Sequence, residues 1–93
     1  MKFEFTAGGK ATLRQLDNET IDRILRKIFY WENVENPLRY ASKVKGHSNL
    51  FRYRIGDWRL IVSPNKETGA IDILRVGHRN NVYKHLNKLF IHE

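Results

Sequence analysis

The chain has 93 residues, 41% hydrophobic and 29% charged, a balance that suits one small folded domain and excludes a disordered chain. It contains no cysteine, which excludes a disulfide framework and a thiolate metal site; its four histidines (His47, His78, His85, His92) show no zinc-type spacing with a third partner. The net charge is +7, and the excess is confined to one part: residues 1–36 carry six basic and six acidic side chains, residues 37–93 eleven basic and four acidic.

Such an asymmetry fits a polyanion or an acidic protein partner, and it also fits plain solubility. No apolar run approaches a membrane span, and "MKFEFTAGGK" lacks the apolar core of a signal peptide. A cytoplasmic protein without membrane contact is expected.

In chain order, "MKFEFT" alternates Phe3 and Phe5 with polar neighbours and predicts a short strand. "GGKATLRQL" predicts a brief helix with Leu13 and Leu16 on one side, weakened by its two glycines. "NETIDRILRKIFYWEN" is the strongest element. Ile21, Ile24, Leu25, Ile28 and Phe29 follow the i, i+3, i+4, i+7, i+8 spacing of one helical face. Asp17 or Asn18 caps it, Tyr30 and Trp31 are expected to complete its packing, and "ENPL" ends it at Asn36-Pro37.

Residues 38–49 read as a basic connection. A hairpin follows: Phe51, Tyr53 and Ile55 alternate with Arg52 and Arg54, Gly56-Asp57 forms a two-residue turn, and Trp58, Leu60 and Val62 alternate with Arg59 and Ile61. "SPNKETGA" is a second turn and "IDILRV" a further strand closed by Gly77. "RNNVYKHLNKLF" predicts a C-terminal helix with Val82, Leu86 and Leu89 on one side. The expected class is α+β: an N-terminal strand and two helices, a three-stranded antiparallel meander and a short C-terminal helix, with helices on one sheet face and the other face free.

The turn at Gly56-Asp57 sets Arg54 opposite Arg59 and places Arg52, Arg54 and Arg59 on the face away from the large apolar side chains. Like charges directly across a ladder repel. An anion between them would relieve that repulsion, since guanidinium groups take phosphate oxygens through paired hydrogen bonds. The alternative is a solvated face whose arginine stems cover apolar surface.

"FRYRIGDWRLIV", followed after a turn by "IDILRVGHRNNVY", resembles the RelE/ParE superfamily of bacterial and archaeal toxins, and the leading strand and two helices match the same plan. The resemblance implies a RelE-like fold and a small toxin held inactive by a cognate antitoxin. One branch of the superfamily cuts messenger RNA in the ribosomal A site; the other blocks DNA gyrase. Fold alone does not choose between them.

The site residues favour the cutting branch. Arg52, Arg54, Arg59, Arg79 and Tyr83 fill the positions that such cutters use, with arginine at 52 and 54 in place of the lysines of the best-known members, and His78 in place of a lysine before Arg79. The resemblance implies a ribosome-dependent, metal-free endoribonuclease without a small-molecule cofactor. In it Tyr83 orients or activates the 2′-hydroxyl, Arg59 stabilises the phosphorane, Arg79 serves the leaving oxygen, and Arg52 with Arg54 hold the backbone. His78 is a second acid or base candidate. Lys43, Lys45, Arg75 and Lys84 are expected to touch RNA phosphates without sequence preference. A gyrase inhibitor that cuts nothing, and a basic RNA-binding module without catalysis, remain the alternatives.

Overall fold

A computed structural model describes residues 1–84. Strand β1 (Phe3–Phe5) leads into helix α1 (Ala7–Leu13) and helix α2 (Asn18–Glu32). A 3-10 turn (Pro37–Tyr40) then precedes strands β2 (Ser42–Lys43), β3 (Phe51–Ile55), β4 (Trp58–Pro64) and β5 (Ile71–His78). These build one five-stranded sheet in the order β1-β5-β4-β3-β2. β1 runs parallel to β5, and every other pairing is antiparallel. The meander expected from the sequence is thus the centre of a wider sheet, flanked by the N-terminal strand and by a two-residue strand within the basic connection.

The glycines of α1 favour its docking. Gly9 is buried against β5 so closely that a Cβ there would run into the carbonyl oxygen of Ile73. Two hydroxyls fasten the contact. Thr6 caps the helix by accepting the Gly9 N–H at 3.1 Å and donates to the Ile73 carbonyl at 3.1 Å. Thr12 accepts the Val76 N–H at 2.9 Å, giving an edge amide of β5 a partner.

Helix α2 starts at Asp17, whose carboxylate accepts the Thr20 N–H at 2.8 Å; the hydrogen bonds from Thr20 hold that carboxyl below its ordinary range. Its buried face is Ile24, Ile28 and Trp31. Leu25 and Phe29, expected on that face, are 44% and 68% exposed. The reason is the size of Trp31: its ring stacks on Tyr53 at 4.1 Å between centroids and stacks with Phe3 at 6.4 Å, so the helix is turned toward its tryptophan flank. Tyr30 consequently points away from the core, 51% exposed, rather than completing the packing. The helix ends at Glu32, before the Asn36-Pro37 step, where Asn33 donates from its side chain to the Phe29 carbonyl at 2.8 Å.

The main core lies between the helices and one sheet face, and includes Phe3, Tyr53, Ile55, Leu60, Val62, Ile71, Ile73 and Val76. The other face is not left free. Ile61 turns onto it, and a register shift between Ile61 and Val62 leaves Leu74 without a partner in the ladder. With Val44, Leu50 and Val82 these residues form a second, smaller cluster. Residues 79–84 are turns that lay Val82 over the sheet; Leu86 and Leu89 of the expected C-terminal helix lie outside the described residues, as do His85 and His92.

Tyr53 joins the layers. Its ring is fully buried, and its hydroxyl donates to the Pro37 carbonyl at 2.8 Å, tying β3 to the 3-10 turn. Burial pushes its phenol well above the ordinary tyrosine value. The unfolded chain therefore releases this proton first, and the stability the neutral phenol contributes is present below about pH 10 and is lost as pH rises beyond it. Tyr53→Phe should cost about 1 to 3 kcal/mol near neutrality, because the Pro37 carbonyl loses its donor. The same variant should show a shallower loss of stability above about pH 10 than the wild type, measured by urea unfolding across that range.

Candidate nucleic-acid interface

Gly56 opens the hairpin with φ +59, a conformation that costs glycine little and other residues more. The resulting register pairs Ile55 with Trp58, Arg54 with Arg59, and Arg52 with Ile61. Arg54 and Arg59 are therefore direct cross-strand neighbours, as the sequence pattern requires. Their side chains part company. Arg59 folds back on the turn and donates to the carbonyls of Gly56 at 2.6 Å and Trp58 at 2.9 Å. Arg54 reaches over the open edge of β3 toward Arg23, Tyr30 and Tyr40. The like-charge repulsion is relieved by this divergence without an anion between the two groups.

Arg79 joins Arg59 at the hairpin tip. Its backbone N–H donates to the Asp57 carbonyl at 2.8 Å, and its Nε lies 3.7 Å from the Asp57 carboxylate. The backbone bond fixes residue 79 at the turn, and the exposed ion pair contributes little energy. Further along the same face, the guanidinium of Arg52 lies over the Tyr83 ring, 6.0 Å from its centroid. The Arg52 Nε is covered and finds no acceptor among the described residues. Tyr83 itself is 36% exposed.

Two contacts hold the segment that carries Tyr83. Arg75 donates to the Lys84 carbonyl at 3.1 Å, so this guanidinium clamps the loop onto the sheet while the Lys84 side chain stays exposed. Val82 rests on Gly77, where an added Cβ would stand 3.3 Å from the valine side chain.

His78 belongs to the other side of the sheet. It is paired in register with Trp58, packs edge-on against that indole at 5.7 Å, and its Nδ1 accepts the Asn80 N–H at 3.2 Å. The structure thus sets Arg52 against Tyr83, holds Arg59 and Arg79 at the hairpin tip, sends Arg54 to the edge, and turns His78 to the side of Trp58. Lys43 lies over the Phe51 ring at 6.0 Å, and Lys45 stands exposed in the turn before Gly46. Among the described residues there is no group of three or more His, Asp or Glu side chains that could hold a metal ion, and no helix long and apolar enough to cross a membrane. Composition also concealed a basic stripe on α2, Arg23, Arg26 and Lys27, beside Tyr30; their i, i+3, i+4, i+7 spacing was the available signal.

A family described as the ParE toxin of the type II toxin-antitoxin system, parDE, matches residues 3–83, and the chain belongs to it. Solved structures agree. A chain of the RelBE2 toxin-antitoxin complex from Mycobacterium tuberculosis superposes with a TM-score of 0.72 at 25% identity, over 84% of this chain and 96% of that one. The RelB-RelE complex from Methanococcus jannaschii gives 0.68 at 27% identity, over 89% and 98%. The isolated Escherichia coli RelE toxin, at 13% identity and a TM-score of 0.65 over 98% and 95%, shares the fold. No curated protein is similar enough in sequence to match. The chain is a toxin of the RelE/ParE superfamily, of the type II toxin-antitoxin class.

The seat of Tyr83 can be tested through Gly77. Gly77→Ala should destabilise the fold by about 1 kcal/mol, the low end of overpacking, because Val82 must lift by a few tenths of an ångström. Combining it with Val82→Ala should cost less than the sum of the single changes, as measured by denaturant unfolding of all four proteins in the cycle.

Proposed function

We propose that this toxin is a ribosome-dependent endoribonuclease that cuts messenger RNA in the A site through attack of the RNA's own 2′-hydroxyl, and that a cognate antitoxin holds it inactive. The observation that carries the reading is Arg52 over the Tyr83 ring, with Arg59 on the same sheet face by register and Arg79 at the adjoining hairpin tip. Three permanent cations and one phenol supply what that reaction needs and what a solvated face does not require.

The proposed chemistry uses this placement. A bond forms from the 2′-oxygen to phosphorus while the bond from phosphorus to the 5′-oxygen breaks. In this reading Tyr83 orients the 2′-hydroxyl and, as its phenolate, takes that proton and becomes the neutral phenol. The charge that grows on the phosphorane faces Arg59, whose guanidinium is already fixed by two turn carbonyls and needs little reorganisation. Arg79, at the hairpin tip beside Asp57, meets the leaving 5′-oxygen and stabilises its negative charge until that oxygen takes a proton from water and leaves as a hydroxyl. Arg52, held by the Tyr83 ring, keeps its terminal nitrogens for backbone phosphate. The products are a 2′,3′-cyclic phosphate and a 5′-hydroxyl end. The ribosome supplies the remaining positioning of the strand.

The family description names the other branch of the superfamily, so gyrase inhibition is the competing reading. Primer extension on programmed ribosomes separates them. Antitoxin-free wild type should cut in the A site only when ribosomes are present. Arg79→Ala and Tyr83→Phe should each lower the rate by about 100-fold or more while both variants keep their fold. Intact messenger RNA with folded wild type, together with lost supercoiling by gyrase, would assign the protein to the inhibitor branch instead.

A further inference from the structure

A cleft of about 670 Å³ opens between α2, the 3-10 turn and the uncovered edge of β3. Arg23, Arg26, Lys27 and Tyr30 line it from one stripe of the helix, Tyr40 from the turn, and Arg54 from the strand. Cations three and four residues apart on a helix repel one another. Here only Arg26 has a counter-ion among the described residues, Asp22, and no carboxylate lines the cleft. The first 36 residues are neutral overall, yet their positive charge is concentrated at this place.

The aromatic part is equally specific. Tyr30 and Tyr40 meet edge to face, 6.1 Å between centroids at 72°, and each is 51% exposed. They present ring surface to solvent in the middle of the cations. Trp31 completes the lining; among the described residues no aliphatic side chain joins it, and the exposed apolar residues of the same helix, Leu25 and Phe29, stand outside the cleft. An amphipathic peptide would seat its apolar side on such residues. Ring faces flanked by guanidinium and ammonium groups suit another ligand: a stacked base with phosphate on either side.

We infer that this cleft binds single-stranded RNA, a base stacking on the Tyr30–Tyr40 pair and the adjoining phosphates meeting Arg23, Lys27 and Arg54. Arg54 joins the cleft to the opposite face, because Arg52 lies two residues away on the same strand, about 7 Å along it. The cleft is a second contact for the strand, outside the cluster around Tyr83. Binding there needs no cleavage, so it stands or falls separately from the nuclease reading.

Fluorescence anisotropy of the full-length toxin with a fluorescein-labelled oligouridine of about eight nucleotides tests it, across a series of salt concentrations and without ribosomes. Tyr30→Leu with Tyr40→Leu should weaken binding at least about tenfold at unchanged charge, and Tyr30→Phe with Tyr40→Phe should restore it. Arg23→Ala with Lys27→Ala should lower the salt slope by about one to two, whereas Lys66→Ala, on the far turn, should leave the dependence on the tyrosines intact. Circular dichroism melts confirm that each variant folds. Unchanged affinity in the leucine pair, or an equal loss per charge removed in Lys66→Ala and in Arg23→Ala with Lys27→Ala, would mean diffuse charge attraction and overturn the inference. Displacement of the RNA by an oligoglutamate peptide that itself depends on Tyr30 and Tyr40 would assign the cleft to an acidic protein, and overturn it equally.

Discussion

The register of the Gly56-Asp57 hairpin decides what every other part of the molecule can do. Once Ile55 faces Trp58, strict alternation sends Tyr53, Ile55 and Leu60 to the helices and Arg52, Arg54 and Arg59 to the opposite face. A slip of one residue would bury the arginines and expose the core, so the hydrophobic effect and the cost of burying charge enforce the same pairing. The cationic face is thereby fixed by the packing of the other side. It needs no ligand to form, since Arg59 and Arg54 diverge to carbonyls and to the strand edge.

The helical layer supplies rigidity of a different kind. Gly9 lets α1 approach the backbone of β5, and Thr6 and Thr12 fill hydrogen-bonding positions that the sheet edge would leave open. The Phe3, Trp31 and Tyr53 rings then set the rotation of α2. That rotation has an outward consequence: it exposes Tyr30 and turns the stripe of Arg23 and Lys27 toward Arg54. Core packing on one side of a helix has determined the charge pattern on the other.

Much of this was legible in the sequence, and the remainder was hidden for identifiable reasons. Periodicity located both helices and the hairpin, and the glycine-first turn fixed the pairing of Arg54 with Arg59. It did not show which flank of α2 is buried, because the five-residue apolar stripe and the stripe through Trp31 overlap at Ile24 and Ile28. Strand β2 is only two residues long and has no alternation to detect. The second cluster depends on Leu74, unpaired at an irregularity that no residue type announces, and on the return of Val82 across the sheet. As for the site, the arginines and Tyr83 were visible as residues. The parting of Arg54 from Arg59, and the seating of His78 on Trp58, follow from three-dimensional surroundings alone.

The proposed cleavage depends on attack of a 2′-hydroxyl on its own phosphate at the cationic face. The most direct test is to place a single 2′-deoxynucleotide at the cleavage position of a messenger RNA on programmed ribosomes, and to compare it with the unmodified strand. The unmodified strand should be cut to leave a 2′,3′-cyclic phosphate, and the deoxy strand should stay intact at that position. Equal cutting of the two strands would contradict that mechanism, since the scission would then be proceeding without the 2′-hydroxyl.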